Sequence, residues 1–435
     1  MSSVLGISLP ADWSSAPLKH VTTYLNRGSA PTYVGEGAVR AISQATNQAA
    51  GLDWTRTRFH EFGGDPRKLK GFLRPDDVLI NSTGTGTLGR VGYFTQSPDG
   101  LPCMADSHVT VARAKLDELD SRFMYYWLSS RPFQEFVYAV LVVGATNQIE
   151  LNRDRLGDAP VPIPKLEEQR RIAEFLDTET ERIDALRVMR ERQNLLLEER
   201  MEAIWSTVIS RDGKDTTWAP IRRFVVSITD GPFGSSLTSS HYSADGARVI
   251  RLGNLGRAEF RDRDPAHVPL EYFANLRRHE AIPGDLIVAG LGDQNHPLGR
   301  ACVVPDDIGP AMVKADCFRL RLDQGRILHE YASWVLSSRC VADQVALLAR
   351  GSTRARINLE VAREIPIPVP SLERQRRTVE ELKEHRAVTR AVTDRCRRQL
   401  SLLVERRQAL IAAAVTGQFD VSTASGRNVT EGITA

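Results

Sequence analysis

Cysteine is scarce in this chain. Of 435 residues only Cys103, Cys302, Cys317, Cys340 and Cys396 are cysteines, an odd number with no Cys-x-x-Cys spacing. That argues against a disulfide framework or a zinc ribbon and leaves them as small buried hydrophobes. Long apolar runs are missing too: none approaches the ~20 residues of a membrane span, and the opening Met1-Ser-Ser-Val-Leu-Gly-Ile7 lacks the charged and apolar regions of a signal peptide. A cytoplasmic protein without a membrane association is expected. Charge of one sign is lacking as well, since 57 basic against 54 acidic residues leave +3. No basic tail announces a nucleic-acid partner, so any such partner must be held by local geometry. What remains, 42% hydrophobic and 26% charged residues, is ordinary globular composition, long enough for two or three domains of about 100–200 residues each.

Catalytic signatures are also absent. Gly84-Thr-Gly86-Thr-Leu-Gly89 satisfies G-x-G-x-x-G, but a dinucleotide loop opens a helix, whereas the following Arg90-Val-Gly-Tyr-Phe94 reads as strand; a glycine-rich turn is expected instead. There is no G-x-x-x-x-G-K-[ST], H-E-x-x-H or G-x-S-x-G, and no Asp/Asn-Pro-Pro-aromatic of the kind that holds a base in amino-methyltransferases. Asp76-Asp77 and Asp306-Asp307 follow prolines without an acid-x-Lys partner for a nuclease, and read as turns. His108, His267 and His296 lack metal-ligand spacing. No catalytic and no metal-binding residue is assigned.

What is present is a duplication. Asp77-Val-Leu-Ile-Asn81 recurs as Asp285-Leu-Ile-Val-Ala289, Leu88-Gly-Arg90 as Leu298-Gly-Arg300, and Leu128-Ser-Ser-Arg131 as Leu336-Ser-Ser-Arg339, at offsets of 208 to 210. Pro160-Val-Pro-Ile-Pro164 with Leu166-Glu-Glu-Gln-Arg-Arg171 is answered by Pro366-Ile-Pro-Val-Pro370 with Leu372-Glu-Arg-Gln-Arg-Arg377. Each half begins with β-rich stretches (77–81, 91–95, 108–113; then 285–289, 301–304, 317–322) followed by helical patterns (117–130, 132–142; then 327–338, 341–349). The alternating prolines force an extended path. Beyond them neither glycine nor proline occurs between Pro164 and Gly213 or between Pro370 and Gly417, and apolar residues recur at steps near three, four or seven. Long coiled-coil-like helices are the simplest reading. At 45 residues each would run roughly 65 Å. Residues 166–210 hold 7 basic and 11 acidic side chains, and 371–420 hold 11 and 7, so the helices suit each other as partners.

The expected fold is therefore α+β: two similar globules, 1–165 and 213–370, separated by two long antiparallel helices, 166–212 and 371–420, in a pseudo-two-fold internal repeat, with 421–435 a flexible tail.

This order of globule, Pro-x-Pro-x-Pro-x-Leu-Glu-x-Gln-Arg-Arg segment and long helix, twice over, resembles the DNA-specificity (S, HsdS) subunit of type I restriction-modification systems. So do Asp230-Gly-Pro-Phe233-Gly-Ser-Ser-Leu237, the Gly284-Asp-Leu-Ile287 strand and the helix ending Ile411-Ala-Ala-Ala-Val-Thr-Gly417. The first globule departs from that pattern with Arg27-Gly-Ser-Ala-Pro31-Thr-Tyr33. The resemblance implies a non-catalytic subunit whose two target-recognition domains each read half of a bipartite site in double-stranded DNA. The helices would set the gap and dock two methyltransferase (M) subunits. Cofactors would then be absent from this chain: S-adenosylmethionine would belong to the methyltransferase, ATP and Mg to two restriction (R) subunits where the system also cleaves DNA. Half-sites one turn apart, ~34–36 Å, face one side of the duplex, within the reach of such helices. The competing reading is a coiled-coil scaffold without DNA function.

Base readout uses Arg on guanine, Asn or Gln on adenine, and Ser or Thr on either. Loops rich in these supply candidates: Gln44, Asn47 and Gln48; Ser82, Thr83, Thr85 and Thr87 with Arg90; Thr146, Asn147 and Gln148. In the second globule they are Asn254; Gln294, Asn295 and His296 with Arg300; and Arg350, Ser352, Thr353, Arg354 and Arg356, the strongest in charge. Turn capping is the plainer role for the Ser, Thr and Asn residues. Near the helix starts Gln169, Arg170, Phe175, Gln375 and Arg376 are candidates for a partner surface, because both copies carry the Gln-Arg pair.

Overall fold

The computed structural model describes residues 2–49, 51–143, 149–214, 216–293, 295–348 and 355–421. The chain divides into two compact units, one of Met1–Arg190 with Arg398–Ala435 and one of Glu191–Arg397. Each globule thus forms a unit with part of both long helices.

In the first unit an antiparallel sheet runs in the order Val91–Phe94, Asp77–Asn81, Val109–Ala114, Thr22–Arg27. Its register sets Leu79 opposite Val111 and Val111 opposite Asn26. All five residues of the Asp77–Asn81 strand are buried, which is why it reads as an unbroken apolar run rather than an alternation. A second sheet contains Cys103–Ala105 parallel to Val39–Ile42. Helix Ser121–Ser129 is N-capped by Asp120, whose side chain accepts from the amides of Arg122 and Phe123. It buries Phe123, Met124, Trp127 and Leu128 in the main core, and Trp127 Nε1 donates to Pro160 O at 3.0 Å. The proline-rich strand Pro160–Ile163 pairs with Ser14–Pro17; prolines are tolerated in a two-stranded pair, where one strand edge needs no donors.

The second unit repeats this plan. Its antiparallel sheet runs Ala301–Val303, Leu286–Ala289, Cys317–Leu322, Val225–Thr229, Ala311–Val313 lies parallel to Ala247–Ile250, and Pro366–Pro368 pairs with Trp218–Pro220. Gly28 and Gly231 correspond in function: a Cβ at the first would overlap the Ala105 and Asp106 carbonyls, and at the second the Lys314–Ala315 peptide. Only glycine allows either loop to lie on that strand end, so the two dissimilar loop sequences share one packing requirement.

Buried charge also repeats. Asp77, fully buried, takes Arg113 Nε and Nη2 at 2.7 Å each, and Asp285 takes Arg321 at 2.7 and 3.0 Å. Asp77, expected to be a turn residue, is an ion-paired anchor like Asp285, because each partner arrives on the neighbouring strand, whereas Asp306 and Asp307 do lie in a turn.

The long helices span Leu166–Lys214 and Leu372–Val415. In the first unit Ile172, Leu176 and Ile183 share a core with Leu410, Ile411 and Ala414, Phe175 meets Phe419 with ring centroids 5.7 Å apart, and Asp184 pairs with Arg407 at 3.3 Å. In the second, Arg211 pairs with Glu381 at 2.7 Å, and the buried Asp212 accepts from Arg374 Nε at 2.9 Å and Thr378 Oγ1 at 2.8 Å. Numbers rise on one helix as they fall on the other, so the pairing is antiparallel within each unit. Gly213 does not end the first helix: the Trp218 indole covers it and donates to its carbonyl at 3.1 Å. Gly417, at φ +71°, does end the second, with Gln418 N returning to Ala413 O at 2.9 Å in a Schellman-type close.

Among the described residues no helix is long and apolar enough to cross a membrane. All five cysteines are free, and four are buried. Burial pushes the Cys103 and Cys302 thiols up to about 12, which keeps them neutral hydrophobes.

Candidate nucleic-acid interface

In the first unit the Asp77–Asn81 strand ends in a glycine turn, with Gly84, Gly86 and Gly89 at positive φ; no helix follows, so the turn is not a dinucleotide loop. Arg90 closes it. Its Nη1 donates to Asn47 O at 3.1 Å and Gln48 Oε1 at 2.9 Å, tying the 82–90 turn to the 43–48 loop. Thr83 Oγ1 reaches Gln44 Oε1 at 3.2 Å and His108 Nδ1 at 2.8 Å, and Thr87 Oγ1 turns back onto Thr83 O at 3.3 Å. Gln44, Gln48, Thr83, Thr87 and Arg90 therefore meet at one end of the sheet, with Thr85 and His108 exposed beside them.

Asn47 and Ser82 are buried instead. Asn47 Nδ2 donates to Asn81 Oδ1 at 3.0 Å and Ser82 Oγ meets Thr110 Oγ1 at 2.5 Å. Against the expectation of base contact, these two side chains are spent on holding the loops.

The equivalent clamp in the second unit is stronger. Arg300, 4% exposed, donates to the carbonyls of Leu252, Leu255, Leu291 and Pro297 at 2.9 to 3.1 Å. Burial lowers its pKa, while four carbonyl oxygens compensate the cation. Asn254 is likewise turned inward: its Oδ1 accepts from Arg251 N at 2.9 Å, and its Nδ2 donates to Arg261 O and Arg263 O at 3.0 Å each. Both residues expected to read bases thus shape the loops. Asn295 and His296 are exposed on the clamped turn, where Asp293 accepts from both backbone amides, at 2.8 and 2.9 Å.

Arg356 lies half-exposed, paired with Asp316 at 2.7 Å and 5.6 Å from the Phe233 ring. Together with Asp230 these residues line a cleft of about 810 Å³. Burial pushes the Asp230 carboxyl up to about 6. Thr146, Asn147, Gln148, Gln294, Arg350, Ser352, Thr353 and Arg354 lie outside the described residues.

Sequence reasoning missed a second cleft, about 610 Å³, lined by Arg251, Arg261, Arg263, Lys314 and His296. These cations come from three separate segments joined by strand pairing, so no basic run marks them; only the alternation of Arg261 and Arg263 is visible in sequence.

The residues expected on a partner surface divide. Gln169 and Gln375 are fully buried and engaged inside their own units, whereas Arg170 and Arg376 are exposed. Phe175 packs on Phe419.

Residues 67–193 match the family model described as the type I restriction modification DNA specificity domain. The chain is 20% identical over 388 residues to the Type I restriction enzyme EcoBI specificity subunit of Escherichia coli, with 80% of this chain and 79% of that protein covered. It is 22% identical over 390 residues to the putative type I restriction enzyme MjaX specificity subunit of Methanocaldococcus jannaschii, covering 86% and 87%. Among solved structures, a chain from a study of complex assembly and conformational transition in the type I R-M system superposes with TM-score 0.73 at 18% identity, over 95% of this chain and 100% of that one. The crystal structure of the HsdS subunit from Thermoanaerobacter tengcongensis gives 0.54 at 18% identity, over 95% and 98%. Doubled globules, paired helices and a matching specificity domain over residues 67–193 agree with relatives along most of the length: the chain is similar, in sequence and fold, to type I restriction-modification specificity subunits.

Proposed function

We propose that this chain selects DNA sequence without reacting on it, each globule reading one half of a bipartite site. The carrying observation is the repeated clamp, Arg90 in one unit and Arg300 in the other. Each ties two loops at the same end of the same sheet and leaves uncommitted polar groups exposed on them. Such preorganised loops suit major-groove readout, where Gln, Asn, Thr and Arg discriminate base edges. The differing exposed residues, Thr85 against Asn295 and His296, fit two different half-sites.

The helices set the gap between half-sites and dock two methyltransferase subunits, Arg170 and Arg376 being their exposed candidates. S-adenosylmethionine chemistry then resides in the partner, as do ATP and Mg chemistry in restriction subunits where the system cleaves. The assembly works in the cytoplasm, on chromosomal DNA. Long-read methylation sequencing of a host with and without this gene tests the reading: a split motif that loses its modification on deletion is expected, and an unchanged set of modified motifs overturns it.

A further inference from the structure

The basic cleft of the second globule has a structural counterpart in the first, and the two differ in charge. Lys314 N donates to Ile250 O at 2.9 Å, as Asp106 N does to Ile42 O at 3.0 Å. Asn254 N donates to Arg251 O at 2.8 Å, as Thr46 N does to Ser43 O at 3.0 Å, and Arg261 N to Asn254 O at 2.7 Å, as Asp53 N to Thr46 O at 2.8 Å. These matched backbone bonds set Arg251, Arg261 and Lys314 against Ser43, Asp53 and Asp106. Two residues past the last pair, Arg263 stands against Thr55.

The four cations of the second unit face two carboxylates. Asp264 pairs with Arg251 at 2.7 Å and Asp316 with Arg356 at 2.7 Å. Among the described residues, the side chains of Arg261 and Arg263 make no hydrogen bond or ion pair, and Lys314 lies 5.6 Å from the Tyr242 ring. In the first unit the nearby arginines are engaged: Arg56 with Asp53 at 2.8 Å, and Arg58 over the Tyr33 ring at 3.4 Å.

We propose that the two globules divide the work unequally, with the second gripping the phosphodiester backbone of duplex DNA through Arg251, Arg261, Arg263 and Lys314. The first contributes mainly base contacts and little salt-sensitive affinity. Backbone contacts position a protein on DNA without carrying sequence information, so one strongly held half suffices to hold the duplex while the other discriminates. This inference rests on the DNA-reading proposal above.

The test uses the full chain and a fluorescein-labelled, mixed-sequence 40-base-pair duplex, titrated at several salt concentrations. Each phosphate neutralised contributes about −0.9 to the slope of log K against log salt. R263Q/K314Q is expected to flatten that slope by about 1.8, whereas R56Q/R58Q, which removes the same charge from the first globule, leaves it within about 0.5 of wild type. Circular dichroism melts confirm that both variants are folded. An unchanged slope in R263Q/K314Q, or equal flattening in the two variants, overturns the unequal division while leaving DNA reading intact. Absence of salt-dependent binding in the wild-type chain instead overturns the DNA-reading proposal itself, and this inference with it.

Discussion

Gln375 repeats, 206 residues later, the three hydrogen bonds of Gln169. Gln169 Oε1 accepts from Asp120 N at 2.7 Å, and its Nε2 donates to Glu118 O and Pro164 O at 3.0 and 2.9 Å. Gln375 Oε1 accepts from Leu328 N at 2.9 Å, and its Nε2 donates to Arg326 O and Pro370 O at 2.8 and 2.9 Å. Each glutamine welds the first turn of a long helix to the loop before a globule helix and to the end of the proline strand.

Removing either glutamine leaves buried backbone groups without partners. Q375A is expected to destabilise the second unit by about 2–4 kcal/mol, since each orphaned buried group costs about 1–3 kcal/mol. Q375E fares worse, because a carboxylate oxygen would face two carbonyls. Urea unfolding followed by far-UV circular dichroism checks both, and a Q375A midpoint equal to wild type would contradict the assignment.

The Asp285–Arg321 pair predicts an asymmetric response. Truncating the buried partner, D285A, leaves the Ile282 amide and the 35%-exposed Arg321 guanidinium without their acceptor and should cost about 1–3 kcal/mol. The double change D285L/R321M, which removes both charges at similar volume, should recover most of that loss. A double-mutant cycle in urea measures the difference.

Arg300→Ala should loosen the 252–255 and 291–297 loops together. Stability is expected to fall by more than about 2 kcal/mol, in line with the ~1.5–3 kcal/mol of a single charged hydrogen bond, and the amides of both segments should gain hydrogen-exchange rate. Protection unchanged at Leu255 and Leu291 would refute the clamp.

Acid sensitivity should concentrate on His329 and His279. His329 Nε2 accepts from Leu322 N at 2.7 Å while Nδ1 faces Gly284 O at 2.6 Å, so a second proton would set donor against donor. Burial lowers its pKa below the ordinary 6.5, and burial lowers His279 as well. The unfolded state then binds more protons below pH 6.5, and stability present above that value is lost as pH falls through the folded pKa. Asp230 acts oppositely: its raised pKa of about 6 stabilises at low pH and loses that contribution as pH rises from 3.8 to about 6. Comparing H329Q with wild type at pH 7.5 and 5.5 isolates the histidine, and the variant is expected to lose less stability on acidification.

The duplication was legible in sequence because apolar strands, alternating prolines and the Gln-Arg pair sit where folding tolerates little change, at one constant offset. The long helices were legible from the missing glycines and prolines. The functional end was harder. Asn254 and Arg300 have the chemistry of base readers, yet their partners are backbone groups, most of them brought near only by the fold, which no residue pattern records. Gln169 and Gln375 failed the same way, since a repeated glutamine can serve a fold as readily as a partner. Lys314 went unnoticed because its neighbours in space, Arg251 and Arg263, lie more than fifty residues away in sequence.

The first unit is assembled from the two ends of the chain, Met1–Arg190 and Arg398–Ala435, while the second is one continuous stretch. On the ribosome the usual order is therefore reversed. The apolar face of Ile172, Leu176 and Ile183 emerges early but waits for Leu410, Ile411 and Ala414, about 10–50 s later at typical elongation rates of 5–20 residues per second. The later-synthesised unit can mature first, and the nascent chain carries a sticky, half-covered rod through that interval, a natural substrate for chaperones.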